Sequence, residues 1–79
     1  MRVGKRKTVI RIRLHVREIA ETHNMTKTRL SRVADVNYNT IKALWEDEAH
    51  DVMLVTLIKV SRALHVSVDT LYTVIDTDE

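Results

Sequence analysis

Between Val9 and Val16 the apolar residues Ile10, Ile12, Leu14 and Val16 alternate with polar ones, the two-residue period of a half-buried strand. The period then lengthens. Val16, Ile19, Ala20 and His23 recur at the 3.6-residue spacing of a helix, so the pattern predicts a short strand near 9–13 and a first helix from about 14 to 24. Thr26, with apolar Met25 just before it, suits a helix start, because its hydroxyl can accept a backbone N–H two or three residues on. A second helix, Lys27 to Ala34, follows, with Leu30, Val33 and Ala34 as its buried stripe and Lys27, Thr28, Arg29, Ser31 and Arg32 outside.

Asp35-Val36-Asn37 interrupts this pattern only briefly. Asn37 is a strong capping residue for a third helix, Tyr38 to Trp45, and about three residues leave room only for a sharp turn, with Val36 tucked beneath it. Two short helices joined this way form a helix-turn-helix. After a polar loop from Glu46, Asp51 is expected to cap a fourth helix over about 52–64, its inner face formed by Leu54, Leu57, Val60, Ser61 and Leu64. His65 closes it. Ser67 is expected to cap a short fifth helix with Val68, Leu71 and Tyr72 inward, and Val74-Ile75 suggests a last strand. No repeat or low-complexity segment breaks the sequence.

A chain of 79 residues, 44% hydrophobic and 30% charged, with one Gly and no Pro, is suited to a single domain of continuous helices with tight connections. Cysteine is absent, which excludes disulfides and thiolate metal sites and points to a reducing cytoplasm. The apolar stretch around Met53, Leu54 and Val55 falls far short of the roughly 18–20 residues that span a bilayer. The basic amino terminus is not followed by the apolar stretch of a secretory signal, so the product is expected to stay where it is made.

The formal net charge is only +2, but it is unevenly distributed. Arg2, Lys5, Arg6, Lys7, Arg11, Arg13 and Arg17 precede the first acid, whereas the chain ends Asp76-Thr77-Asp78-Glu79. This asymmetry suits either a polyanion partner or a solvated tail. The expected organisation is a flexible basic arm over 1–8, a domain over 9–76 and an acidic tail over 77–79.

The run Met25-Thr26-Lys27, Leu30-Ser31, Ala34-Asp35-Val36-Asn37-Tyr38-Asn39-Thr40-Ile41 and Leu44, followed by Leu54, Leu57, Val60, Ala63-Leu64-His65-Val66-Ser67 and Leu71, resembles the Cro/repressor (Xre-like) helix-turn-helix family over about residues 12–75. It is similar in particular to the compact bacterial single-domain subfamily. The resemblance implies an all-α, five-helix lambda-repressor-like fold with short N- and C-terminal strands, acting as a transcriptional regulator on double-stranded DNA without a cofactor. The chain departs from the family pattern in carrying Lys27 where Gln is usual and Asp35 and His65 where Gly is usual. Asp and His enter the left-handed region more easily than most residues. The segment Glu46-Asp47-Glu48 stands where many relatives have small or basic groups, and its carboxylates oppose phosphates unless they point away. Such opposition makes binding lean on the arm.

An α-helix fits the major groove and meets base edges with its first turns while the preceding helix crosses the backbone. With Ile41 and Leu44 committed to the core, the outward set is Tyr38, Asn39, Lys42 and Ala43. Asn39 matches an adenine edge, Lys42 guanine or a phosphate, Ala43 a thymine methyl, and Tyr38 either task. Thr26, Lys27, Arg29, Asn37 and Thr40 are the candidate backbone contacts, and Arg2, Lys5, Arg6 and Lys7 are candidate arm contacts in a minor groove. Each of these is also an ordinary solvated residue on a polar face. Trp45 fits a structural anchor better than a stacking platform. Val55 and Ile58 lie off the main face of the fourth helix and mark either a dimer surface or packing under the N-terminal strand.

His15, His23, His50 and His65 lack ligand spacing, so no metal is expected. No nucleophile has a paired base, so an enzyme is not expected. One helix-turn-helix reads one half-site, which points to a homodimer. The alternative is an antitoxin-like or other protein–protein interaction module on the same fold.

Overall fold

The computed structural model describes residues 8–78. Strand β1 (Thr8–Leu14) leads into helices α1 (Val16–Thr22), α2 (Lys27–Ala34), α3 (Tyr38–Glu46) and α4 (Leu54–Leu64), then a 3-10 turn (Val68–Leu71) and strand β2 (Tyr72–Asp78). The two strands pair antiparallel, from Thr8 opposite Asp78 to Leu14 opposite Tyr72. The expected helix-turn-helix is present, but the helices number four, not five. Val68–Leu71 is a single 3-10 turn because the chain enters the pairing with β1 at Tyr72, before a helix can propagate. That pairing also takes in Thr77 and Asp78, assigned from sequence to the tail, and places Leu14 in the strand rather than in the first helix.

Three helix ends share one construction. Asn24, Asp35 and His65 adopt left-handed backbone with φ of 56°, 58° and 57°. The N–H of the residue after each left-handed one reaches back five residues: Met25 to the Ala20 carbonyl, Val36 to that of Ser31, Val66 to that of Ser61. This Schellman arrangement satisfies carbonyls that would otherwise lack partners. In each case the residue after the left-handed one, Met25, Val36 or Val66, packs against the core. The next residue starts the following helical segment: Thr26 caps α2 by accepting the Arg29 N–H, and Asn37 caps α3 by accepting that of Asn39. Ser67 departs from expectation, since its hydroxyl meets that of Thr70 at 2.8 Å and caps no N–H. Asp51 does not cap α4 either. That position belongs to Met53, whose weakly accepting thioether makes no cap hydrogen bond.

The core is built from Leu14, Val16, Leu30, Ile41, Leu44, Val60, Leu64 and Leu71, all essentially fully buried, with Ala20, Ala34, Leu57 and Ala63 around them. Two expected members lie outside it. Val33 is 52% exposed and Leu54 62% exposed, since α2 packs through Leu30 and Ala34 and α4 begins its buried face only at Leu57. Burial also falls along β1, from Leu14 at 2% exposed, through half-buried Ile12, to Ile10 at 65%. The inner end of the ribbon is tied down by the Leu14 N–H to the Glu48 carbonyl (2.7 Å) and the His15 N–H to that of Leu71 (2.8 Å). The outer end leaves the helical body.

Candidate nucleic-acid interface

The angle between α2 and α3 is held by more than the left-handed turn. The Ser31 hydroxyl donates to the Val36 carbonyl at 2.8 Å, and the Lys59 ammonium, from α4, donates to the Asp35 carbonyl at 3.4 Å. A cation there also faces the negative end of the α2 dipole. Sequence reading missed Lys59, which is 24 residues away from its acceptor and signalled by no local pattern.

On α3, Ile41 and Leu44 are buried at 0% and 1% exposure, which turns Tyr38, Asn39 and Lys42 to solvent. Ala43 is half-buried on the flank of that face. Among the described residues, no hydrogen bond or ion pair engages the side chains of Tyr38, Asn39 or Lys42, so their polar groups are available to a ligand. Asn37 has committed its Oδ1 to the Asn39 N–H at 2.8 Å, leaving only its amide N–H groups to donate. Thr40 is half-buried beside it.

The start of α2 lies beside this face. The Thr26 oxygen accepts the Arg29 N–H at 3.1 Å, and Thr26, Thr28, Arg29, Arg32 and Val33 line a shallow depression with Asn24. Lys27 is placed differently from a free phosphate contact. Its Nζ donates to Oε2 of Glu46 at 3.1 Å, joining the first residue of α2 to the last of α3. The expected arm contacts Arg2, Lys5, Arg6 and Lys7 lie outside the described residues.

The acidic segment is engaged within the protein. Glu46 belongs to α3 and pairs with Lys27; Glu48 lies 3.6 Å from Arg13 on β1. Asp47 folds back on its own loop, where Oδ1 accepts the Ala49 N–H at 3.1 Å and Oδ2 lies 4.0 Å from His50 Nδ1. The Lys27–Glu46 and Arg13–Glu48 pairs join residues far apart in the chain and could not be read from local sequence. Trp45, half-buried, packs against the core and walls a cleft with Arg17, Glu18, Glu21, Glu46 and Glu48. Acidic groups thus gather on the α1 side of α3, and Arg29 and Arg32 stand on α2.

Val55 and Ile58 are exposed at 58% and 36%, next to Met53 at 71% and Leu54 at 62%, so they do not pack beneath β1. Among the described residues no group of three His, Asp or Glu side chains is placed to hold a metal ion, and no helix is long and apolar enough to cross a membrane. No curated protein matches the chain. The family model of the Cro/C1-type helix-turn-helix DNA-binding domain matches residues 15–77, which take in all four helices and β2 through Thr77. With a short turn between α2 and α3, and α3 bearing an unobstructed polar side, the chain belongs to the Cro/C1-type helix-turn-helix DNA-binding family.

Proposed function

We infer that the protein is a sequence-specific transcriptional regulator of the Cro/repressor type, binding duplex DNA as a homodimer and catalysing nothing. The observation that carries this reading is the outer side of α3, where Tyr38, Asn39 and Lys42 are exposed above a fully buried Ile41. A helix so presented enters a major groove about 12 Å wide, with Asn39 positioned for an adenine edge and Lys42 for guanine or phosphate. Ala43, on the flank, supplies apolar contact to a thymine methyl. Thr26, Arg29, Asn37 and Thr40 orient the domain on the backbone, without sequence preference.

The test is a duplex selected from random sequence, titrated against the wild type and against Asn39→Ala and Lys42→Ala. Each lost base contact is expected to cost about 1–3 kcal/mol and to relax preference at one position of the site. Unchanged preference in both variants would sink the assignment of this surface.

A second reading, an antitoxin-like module that binds another protein, is favoured by the exposed apolar residues Met53, Leu54, Val55 and Ile58. It prevails if the chain forms a tight complex with a protein partner and shows no salt-sensitive duplex binding.

A further inference from the structure

We propose that Glu46 limits DNA affinity by holding Lys27 away from the phosphate backbone. The proposal rests on the reading of α2 and α3 as the DNA-binding pair, and its test separates the two. The geometry is a single contact, Lys27 Nζ to Glu46 Oε2 at 3.1 Å, across the face where α2 begins and α3 ends.

Neither charge suits its own helix. An ammonium at the first position of α2 faces the positive end of that dipole, and a carboxylate at the last position of α3 faces the negative end. The pair therefore does not serve local helix stability. It answers instead to what lies outside: a lysine at the start of α2 is placed for a phosphate, and Glu46 compensates its charge before any phosphate arrives. The Lys27 side chain retains only 30% exposure, against 52% for Glu46. Among the described residues, Arg29 and Arg32 on the same helix have no carboxylate within ion-pair distance. Backbone attraction thus falls to these arginines, and Lys27 contributes little net charge. A phosphate approaching Lys27 must displace Glu46 or share the ammonium with it.

The experiment measures binding to a random-sequence duplex over a range of salt for the wild type, Glu46→Gln, Lys27→Met and the double variant. Each added phosphate contact steepens the plot of log affinity against log salt by about 0.9, equivalent to about fivefold tighter binding near 0.15 M. Glu46→Gln is expected to gain that slope and affinity, and the double variant to return to the wild-type line. Lys27→Met alone leaves Glu46 uncompensated and binds more weakly. Asp69→Asn, the same charge change on the 3-10 turn, controls for net charge and leaves the slope unchanged. Exposed ion pairs contribute little to stability, so all variants are expected to fold, as circular dichroism checks. The proposal is overturned if Glu46→Gln matches the wild type or the Asp69 control, or if the double variant falls below the wild type. A wild type with no salt-dependent duplex binding overturns the DNA reading as well.

Discussion

At Asn24, Asp35 and His65 the backbone takes a conformation that Gly reaches without steric cost, and none of the three is Gly. An L-residue there brings its Cβ too close to the following carbonyl oxygen, a penalty of roughly 1–2 kcal/mol in general and less for Asn and Asp, whose short polar side chains lower it. All three side chains are exposed and, among the described residues, none makes a hydrogen bond, so His65 differs only in lacking the short polar side chain that lowers the cost for Asn and Asp. His65→Gly should therefore stabilise the fold, after allowance for the freer unfolded chain, by about 0.5–1 kcal/mol. In a domain of this size that raises the thermal midpoint by about 2–8 °C, readable by calorimetry. A midpoint unchanged or lowered would mean that the imidazole supports the turn in a way its contacts do not reveal.

Each interhelical junction of this kind is a left-handed residue, an apolar residue and the first residue before the next helical segment, and this is where the sequence spoke most clearly. Asp35-Val36-Asn37 and the closing role of His65 were legible because polar turn formers stood between two periodic stretches. Asn24 was not, since a helix running to 24 fitted the same letters. Periodicity also failed at the edges of stripes: Val33 and Leu54 hold helical register with buried neighbours, but no opposing element reaches them. The exposed polar face of α3 followed directly from Ile41 and Leu44 being buried, whereas the Lys27–Glu46 contact, 19 residues apart in sequence, depends on how two helices meet. The start of α4 shows the same limit, with Met53 standing where Asp51 was expected to cap. Met53 is 71% exposed, so its replacement sacrifices little packing. Met53→Asp supplies the missing acceptor and favours the helix dipole, and is expected to add about 0.5–2 kcal/mol to unfolding stability in denaturant, with Met53→Ala adding none. Equal stability of the two variants would show that the cap does not limit α4.

Across the whole molecule, apolar surface is left uncovered on the ribbon and on the first turn of α4. Ile10 and Val74 are 65% and 54% exposed, and Ile12 lies between them on the same sheet face because it pairs directly with Val74. Ile12 also lines a groove with Val52, Leu54, Leu57 and Tyr72, which makes the ribbon face continuous with the first turn of α4 at Leu54. Two-stranded ribbons are marginal alone, and this one is anchored to the body at its inner end, by the Leu14 and His15 backbone bonds, the Arg13–Glu48 pair and the packing of Ile12 and Tyr72. The Leu14 N–H points away from β2 to Glu48, and antiparallel alternation then turns the ladder groups of Ile12 and Ile10 to the same open edge. A regulator that reads two half-sites requires a two-fold mate, and an isologous contact places the same patch on both subunits. Under the proposed homodimer, Ile10→Asp and Ile58→Asp introduce charge where the mate packs without disturbing the core of either subunit. Sedimentation equilibrium should then show the dimer dissociation constant rising at least about tenfold, equivalent to roughly 1.4 kcal/mol, with the monomer's thermal midpoint retained. Affinity for a full two-half-site duplex should fall in parallel, while affinity for a single half-site stays constant. A wild type that remains monomeric at high micromolar concentration, and that gains nothing from a second half-site, would remove the dimer from the functional reading and leave the exposed patch to a different protein.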